Sequence, residues 1–413
     1  MNTTIGLFEA IGVEVEYMIV DRETLRVKPI ADDLLRLDDG SFTSDVEMGH
    51  IAWSNELVLH VVELKTNGPA STLVGLADRF GESVREVNRR LAKQGACLMP
   101  TGMHPTMDPR HETTLWPHDY GPIYRTFDRI FDCSGHGWAN LQATHINLPF
   151  KNDDEFARLH AAVRIVLPII PALAASSPIM DGRITGWMDS RMEVYRHNAS
   201  RVPSVSGLIV PEPATSRSHY ESAILDPIYA DLAPLDPDGI LRFEWVNARG
   251  AIARFDRGTI EIRVLDVQEC PSADMAVAAA ILHVLRWLTE ERTDTLLDRS
   301  PLSTDRLSSI FLDTTVNADE TVIHDAEYLA ALGMQRDHCR AADIWRHLLD
   351  QWLRCDQDAS AWRPALDLIL NEGCLARRIV RRLGQEPSLN DIHRAYRELT
   401  HCLDQGTLFR INP

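Results

Sequence analysis

Glu14 and Glu16 stand two positions apart in Gly12-Val13-Glu14-Val15-Glu16-Tyr17, a stretch that continues through Met18-Ile19-Val20-Asp21. Val13, Val15, Tyr17 and Ile19 alternate with Glu14, Glu16 and Met18, the period-two pattern of a half-buried strand. Residues two apart on a strand share a face, so the two carboxylates project side by side. They repel each other unless water or a cation neutralises them. An isolated E-x-E is usually a strand with one solvated face. In this chain, later stretches supply complementary groups.

Residues 51–65, IAWSNELVLHVVELK, are rich in β-branched and apolar residues and read as strand, with Glu56 and Glu63 on it. Their spacing of seven is odd, so on one straight strand they face opposite ways. Either a bulge or a turn intervenes, or only one of them joins the first pair. Residues 138–148, WANLQATHINL, put His145 and Asn147 on one face of another strand. Residues 259–265, TIEIRVL, alternate cleanly and put Glu261 beside Arg263. Five carboxylates, one imidazole and one guanidinium on strand faces exceed what an ordinary solvated surface needs. Oxygen-rich ligation with open positions suits Mg²⁺ or Mn²⁺ bridging nucleotide phosphates, and the imidazole tilts the choice slightly toward Mn²⁺. Each residue alone has a plainer reading: a lone histidine is usually structural, and Arg263 alone would be a salt-bridge partner of Glu261.

The elements that must position these groups alternate along the chain. Residues 27–37 read as a connection and short helix, and Ser71 or Thr72 caps a helix to about Gln94 with Leu73, Leu76, Phe80, Val84, Val87 and Leu91 as its apolar stripe. Gly95 ends it before a strand over 96–101 and the loop Gly102-Met103-His104-Pro105. A helix is expected near 123–131. Another opens at Asn152 with Asp153, Asp154 and Glu155 and runs to about Leu167. Residues 179–240 are irregular and polar, with Arg183, Arg191, Arg196 and Arg201 at close intervals, the character of a functional loop. Residues 241–246 and 259–265 read as the last two strands. Beyond Cys270 the chain reads as helical, at 272–291, about 325–353 and 389–404, with turns and Pro301, Pro364 and Pro387 between.

The 413 residues carry a formal charge of −18 without a basic tract, which argues against nucleic acid or an anionic membrane as partner. Hydrophobic residues at 45% and charged residues at 25% are ordinary for a soluble globular chain. No run of about 18 uncharged apolar residues is present, so no membrane span is expected. Met1 to Gly6 shows neither a basic n-region nor an apolar h-region, and seven scattered cysteines without C-x-x-C suggest neither disulfide framework nor zinc knuckle. The expected compartment is the cytoplasm.

Taken in order, GVEVEY, NELVLHVVELKT, TGMHP, ATHINL, PALAASSPIMDGRITGWMDSR and RGTIEIRVLD resemble the carboxylate–amine ligase branch of the glutamate–cysteine ligase family, over about residues 8–290. That family belongs to the glutamine synthetase-like superfamily. The resemblance implies an α+β fold: a curved antiparallel β-sheet of the glutamine synthetase/guanido kinase type, flanked by helices, with a helical C-terminal region. The implied division is a catalytic core at 1–290 and a helical extension packed on it at 291–413. The implied ligand sets are Glu16, Glu56 and Glu63 for one metal and Glu14, His145 and Glu261 for the other. Glu261 and Arg263 are the implied catalytic pair, with Arg263 directed at the transferred phosphate. Arg183 and Arg191, in the matching G-R-x-x-G-x-x-x-x-R segment, and Asn147 are expected to contact substrate or ATP.

The chemistry fits these groups. Joining a carboxylate to an amine requires the carboxylate oxygen to become a leaving group, which ATP achieves by forming an acyl phosphate. Phosphoryl transfer asks the protein for positioning and charge neutralisation, which two divalent ions and an arginine supply. There is no G-x-x-x-x-G-K-[ST] loop and no convincing Ser–His–Asp or activated-cysteine arrangement. The expectation is an ATP-dependent carboxylate–amine ligase forming an amide, most simply γ-glutamyl, with ATP and Mg²⁺ or Mn²⁺ as cofactors. Its partners are small molecules, and a homo-oligomer stays open. The alternatives are a phosphagen-type kinase of the same superfamily and a non-catalytic nucleotide-binding regulatory protein.

Overall fold

The computed structural model describes residues 4–291, 302–356 and 358–411. Among them the largest assembly is an eight-stranded antiparallel sheet. Its strands are β1 (Gly12–Asp21), β2 (Asp45–Met48), β3 (Ile51–Asn55), β4 (Val61–Thr66), β5 (Ala96–Met99), β6 (Ala143–Pro149), β7 (Ala251–Arg254) and β8 (Thr259–Asp266). They lie in the order β2-β3-β4-β1-β6-β8-β7, with β5 alongside the C-terminal half of β1. β1 is therefore central: it pairs with β4 along Glu14–Met18, with β6 along Gly12–Val15 and with β5 along Met18–Asp21.

Alternation explains one face of β1 and tertiary packing the other. Val13, Val15, Tyr17 and Ile19 are fully buried, as the period-two pattern requires. On the opposite face Met18 and Val20 are fully buried too, against Met99, Ile392 and Tyr396. Only Glu14 and Glu16 on that face meet a cavity. One strand thus supplies hydrophobic core along its whole length and a polar floor at its first half.

Helices cover the sheet. α1 (Leu76–Leu91) buries Leu76, Phe80, Val84, Val87 and Leu91 on one stripe. A short 3₁₀ turn follows it and ends at Gly95, whose φ of +66° suits a residue without Cβ. α2 is Gly121–Phe131, and α3 is Asp153–Val166 with the Asn152 side chain accepting from the Glu155 N–H at 2.9 Å. α4 is Ser190–Tyr195. α5 (Pro271–Glu291) is long and apolar enough to cross a membrane, but 72% of its apolar window is buried within the protein, as in a core helix. The later helices are α6 (Thr304–Asn317), α7 (Ala341–Cys355), α8 (Arg363–Glu372), α9 (Leu375–Leu383) and α10 (Leu389–Gln405). Leu375, Ile379, Ile392 and Tyr396 of this tail pack with Met18, Val20 and Met99 of the sheet.

Several expectations change. Residues 51–65 are two strands of a hairpin, β3 and β4, and not one strand. Their turn carries no Gly or Pro because it is itself covered: the Leu59 N–H donates to the Thr114 carbonyl and the Trp116 N–H to the Leu57 carbonyl. The expected strand over 138–148 begins only at Ala143, after a helical turn at His136–Ala139. The strand expected at 241–246 is a 3₁₀ turn, Glu244–Val246, and the sheet edge is β7 instead. Residues 325–353 split into Ala326–Ala331 and α7, separated by the strand Cys339–Arg340, which pairs back with Val322–Ile323. The irregular 179–240 region holds α4 and a continuous helical run over 217–232. The turn expected at Pro301 lies outside the described residues.

Candidate active site

The sheet brings the charged groups together at one cavity of about 350 Å³. β1 supplies Glu14 and Glu16, β4 Glu63, β6 His145, and β8 Glu261 and Arg263, while Glu56 immediately follows β3. Register places Glu16 opposite Glu63, and Glu14 opposite Lys65 on one side and His145 on the other. One carboxylate oxygen from each of Glu16, Glu56 and Glu63 lies within 4.8 Å of the other two. The same holds for ligand atoms of Glu14, Glu63 and His145. His145 Nδ1 is 3.2 Å from Glu14 and 3.9 Å from Glu261, and its Nε2 is 3.8 Å from Glu16. The hairpin resolves the odd spacing of Glu56 and Glu63: the chain turns between them, and both reach the same place.

Such a floor is electrostatically costly. Like charges directly opposite on paired strands repel, and burial penalises each further. Burial, with Glu16 and Glu63 adding repulsion, pushes the Glu56 carboxyl well above its ordinary range. Burial and Glu14 push Glu63 up to about 7, although Lys65 opposes them. Burial also raises Glu16, against His145 and the Ala143 N–H, which donates to it at 2.7 Å. For His145, burial favours the neutral ring, but the hydrogen bond to Glu14 and the charges of Glu16 and Glu261 prevail and raise it to about 9. The donor set fits a hard divalent cation, since an ion about 2.0–2.6 Å from each oxygen spans these separations and relieves the repulsion. Glu261 differs. Burial would raise it, yet Arg263, His145 and Arg254 hold it down to about 2.

The cations are arranged around that floor. Arg263 pairs with Glu261, and Arg254 Nη1 reaches the other Glu261 oxygen at 3.5 Å. Arg257 Nη1 lies 4.0 Å from Glu14, and Lys65 Nζ bridges Glu63 at 3.4 Å and Asp45 at 2.6 Å. Arg263 sits where β8 slips against β6, between Ile262 and Leu265, and its N–H donates to the Gly250 carbonyl at 2.9 Å.

Other expected contacts lie elsewhere. Arg191 borders the cavity but is only 2% exposed. Its Nε pairs with Asp266, and its Nη atoms donate to the Arg263 carbonyl at 3.3 and 3.4 Å, so its fork is turned to the protein's own oxygens. Arg183 is exposed on a small hairpin, Ile179–Met180 with Arg183–Ile184, and does not line the cavity. The asparagine expected at the substrate, Asn147, donates to Glu14 at 3.2 Å and does not line the cavity either. The TGMHP loop is structural: the Gly102 N–H donates to Ser176, and the His104 ring meets the Leu25 carbonyl.

Lys65, Arg254 and Arg257 also line the cavity and are not among the expected residues. For Lys65 a signal existed, because it stands two residues after Glu63 on the same strand. Arg254 and Arg257 give none, because the short strand Ala251–Arg254 has no alternating pattern to mark its faces. Also missed were aromatic side chains from outside the sheet that border the cavity, among them Tyr124, Phe127 and Trp245.

The architecture is an antiparallel-sheet α+β fold with clustered glutamates, a histidine and arginines converging on one cavity. The chain belongs to the glutamate-cysteine ligase family 2, whose sequence profile matches residues 10–398. An uncharacterized protein of Archaeoglobus fulgidus is 31% identical over 400 residues, covering 97% of this chain and all of that one. A Rubrobacter xylanophilus protein, provisionally named glutamate–cysteine ligase 2-3, is 28% identical and covers 65% of this chain and 67% of its own. The crystal structure of glutamate–cysteine ligase from Francisella tularensis in complex with AMP has a TM-score of 0.63 at 13% identity, covering 97% of this chain and 90% of that one. At that identity the likeness is one of fold.

Proposed function

We propose that this protein is an ATP-dependent carboxylate–amine ligase that forms an amide, γ-glutamyl in the simplest case, through an acyl phosphate. The observation that carries the reading is the pair of ligand sets, Glu16/Glu56/Glu63 and Glu14/Glu63/His145, each within 4.8 Å, beside Arg263 in one cavity. Family membership supports it.

In this reading the glutamates and His145 would hold two divalent ions, which would supply neutralisation of the phosphate charge. The first ligand set is Glu16, Glu56 and Glu63. The second would draw on Glu14 and His145, with Glu63 as grouped here or with Glu261 as the family resemblance implies. Arg263 and Arg254 stand ready to receive the oxygens of the migrating phosphoryl group. A carboxylate oxygen of the donor attacks the γ-phosphorus, the bond to the leaving ADP oxygen breaks, and an acyl phosphate results. The amine nitrogen then attacks the acyl carbon, a C–N bond forms, and the C–O bond to phosphate breaks while the nitrogen's proton leaves with phosphate. Arg191 and Asp266 act one step back, by fixing the backbone that carries Arg263. In this proposal residues 1–290 are the catalytic core and 291–413 its helical extension, whose α9 and α10 pack on Met18, Val20 and Met99 beside the polar floor.

The test is a screen for ADP release with amino acids and amines offered in pairs, followed by the product's mass. Release that requires both a carboxylate and an amine supports the ligase. A phosphorylated guanidine identifies a kinase, and nucleotide binding without turnover identifies a regulatory protein.

A further inference from the structure

Five aromatic side chains border the cavity, and none belongs to the sheet: Tyr124 and Phe127 on α2, Trp138 on the helical turn before β6, Tyr195 at the end of α4, and Trp245 in the 3₁₀ turn before β7. All five are half-buried. Phe127 is the hub, with ring centroids 5.3 Å from Trp138 and 5.9 Å from Trp245. The Trp138 indole N–H donates to the Asn198 carbonyl at 2.9 Å, which fixes that ring, and Trp245 is stacked from behind by Phe243 at 5.5 Å. Trp138 and Trp245 are thus each held by a neighbour, and all five rings keep part of their surface open. Aromatic area left open in a concave site is free energy that a ligand recovers by covering it.

Position decides which part of a substrate fits. The Tyr124 hydroxyl accepts from Asn55 Nδ2 at 3.0 Å, one residue before Glu56. Tyr195 lies beside the Arg263 guanidinium. The wall therefore starts at the groups assigned to the reacting phosphate. A nucleobase is held away from the transferred phosphate by a ribose and two further phosphates. The acceptor's body, in contrast, is attached within a bond or two of the attacking nitrogen. A glutamate donor brings a carboxylate that these rings do not pair with, and its small ammonium, even held over one ring, leaves most of the aromatic area uncovered.

We infer that the aromatic wall is the acceptor subsite, and that the acceptor is a primary amine carrying an aromatic or bulky apolar body, not a small thiol such as cysteine. The inference rests on the ligase reading. A small acceptor would leave most of the wall uncovered, and each uncovered methylene-sized contact in such a pocket is worth about 10-fold or more in discrimination.

The experiment is amine-dependent ADP release by the full-length protein with Mg²⁺, saturating ATP and glutamate as donor. The acceptors are graded: methylamine, cysteine, leucine, phenylalanine and phenylethylamine. The expected result is kcat/KM rising by about 10-fold or more from the small amines to the aromatic ones. Trp245→Ala and the milder Phe127→Leu should each raise the KM of the aromatic amine about 10-fold while moving the KM of ATP and of glutamate less than about twofold. A melting curve of each variant checks that it folds. Preference for cysteine or methylamine overturns this inference and leaves the ligase reading standing. A KM effect of the variants on ATP or glutamate instead of the amine overturns it likewise. Absence of amine-dependent ADP release with every acceptor and with other carboxylate donors overturns the ligase reading and this inference with it.

Discussion

Glu261 lies between Arg254 and Arg263 and is held ionised, while Glu56 and Glu63 across the floor are pushed toward their neutral forms. That asymmetry separates a carboxylate leaned upon by cations from carboxylates that await one. If Glu261 serves a metal in the working state and Arg263 the phosphate, the two should fail differently. Glu261→Gln removes an anionic ligand, so its activity loss should be partly rescued by raising Mg²⁺ or Mn²⁺. Arg263→Lys keeps charge but loses the two-pronged planar donor. Its turnover at saturating ATP and metal should fall by up to about 10³-fold, without rescue by metal. Titrating activity against metal for both variants checks this; equal rescue of both contradicts the roles. A second residue-scale prediction concerns Asp274 in the first turn of α5. Burial pushes its carboxyl up to about 7, against donation from the Gln268 N–H at 2.9 Å and from the Thr144 hydroxyl at 2.8 Å. The folded protein thus keeps a proton that the unfolded chain gives up near the ordinary carboxylate value of about 3.9. Stability should fall by up to about 1.4 kcal/mol per pH unit across that interval and level off above about 7. Melting curves at pH 5 and pH 8 should show Asp274→Asn gaining on the parent at the higher pH; a gap independent of pH refutes it. The acidic residues of this site were legible in the sequence because strand alternation puts i and i+2 on one face. The basic residues around them were mostly not, because lone arginines and lysines near strand ends look like ordinary surface.

At the scale of elements, the slip in β8 is what presents Arg263. Gly250 accommodates it: a Cβ there would stand 2.4 Å from Val264 Cγ1 and 3.0 Å from Ile209 Cγ2. Gly250→Ala should therefore force the β7–β8 region apart and cost about 1–3 kcal/mol by overpacking. Activity should fall further than the lost stability explains at temperatures where the variant stays folded. Denaturant unfolding beside kinetics measures both, and parent-like kcat in a folded Gly250→Ala protein would show that the slip does not position Arg263. The central strand and the apolar stripe of α1 were readable because periodicity records a single buried face. The β3–β4 hairpin was not, because its turn is buried and spelled in apolar residues. β7 was displaced from its expected position because the aromatic and apolar residues of 241–246 fill a cavity wall and a core instead of a ladder.

At the scale of the whole molecule, a buried ion pair fastens the C-terminal helices to the core. Arg378 of α9 and Glu269, both without exposed side-chain surface, pair at 2.6 Å, and the Phe409 N–H donates to the same Glu269 oxygen at 3.2 Å while Arg378 reaches the Phe409 carbonyl. Glu269 lies three residues beyond Asp266, the partner of Arg191. Arg378→Met strands a buried carboxylate and should cost about 3–5 kcal/mol, read as a lower denaturant midpoint. An unchanged midpoint would show that this pair does not fasten the tail. No such tie could be read from the chain, because a buried pair separated by 109 positions leaves no local pattern.

The most direct test of the account follows an atom. With a donor whose carboxylate carries oxygen-18, paired with an amine that supports ADP release, an acyl phosphate must transfer one labelled oxygen to the phosphate produced. The account predicts one oxygen-18 in phosphate per amide formed, detected by mass or by the phosphorus-31 isotope shift. Phosphate released without label while amide accumulates would contradict it.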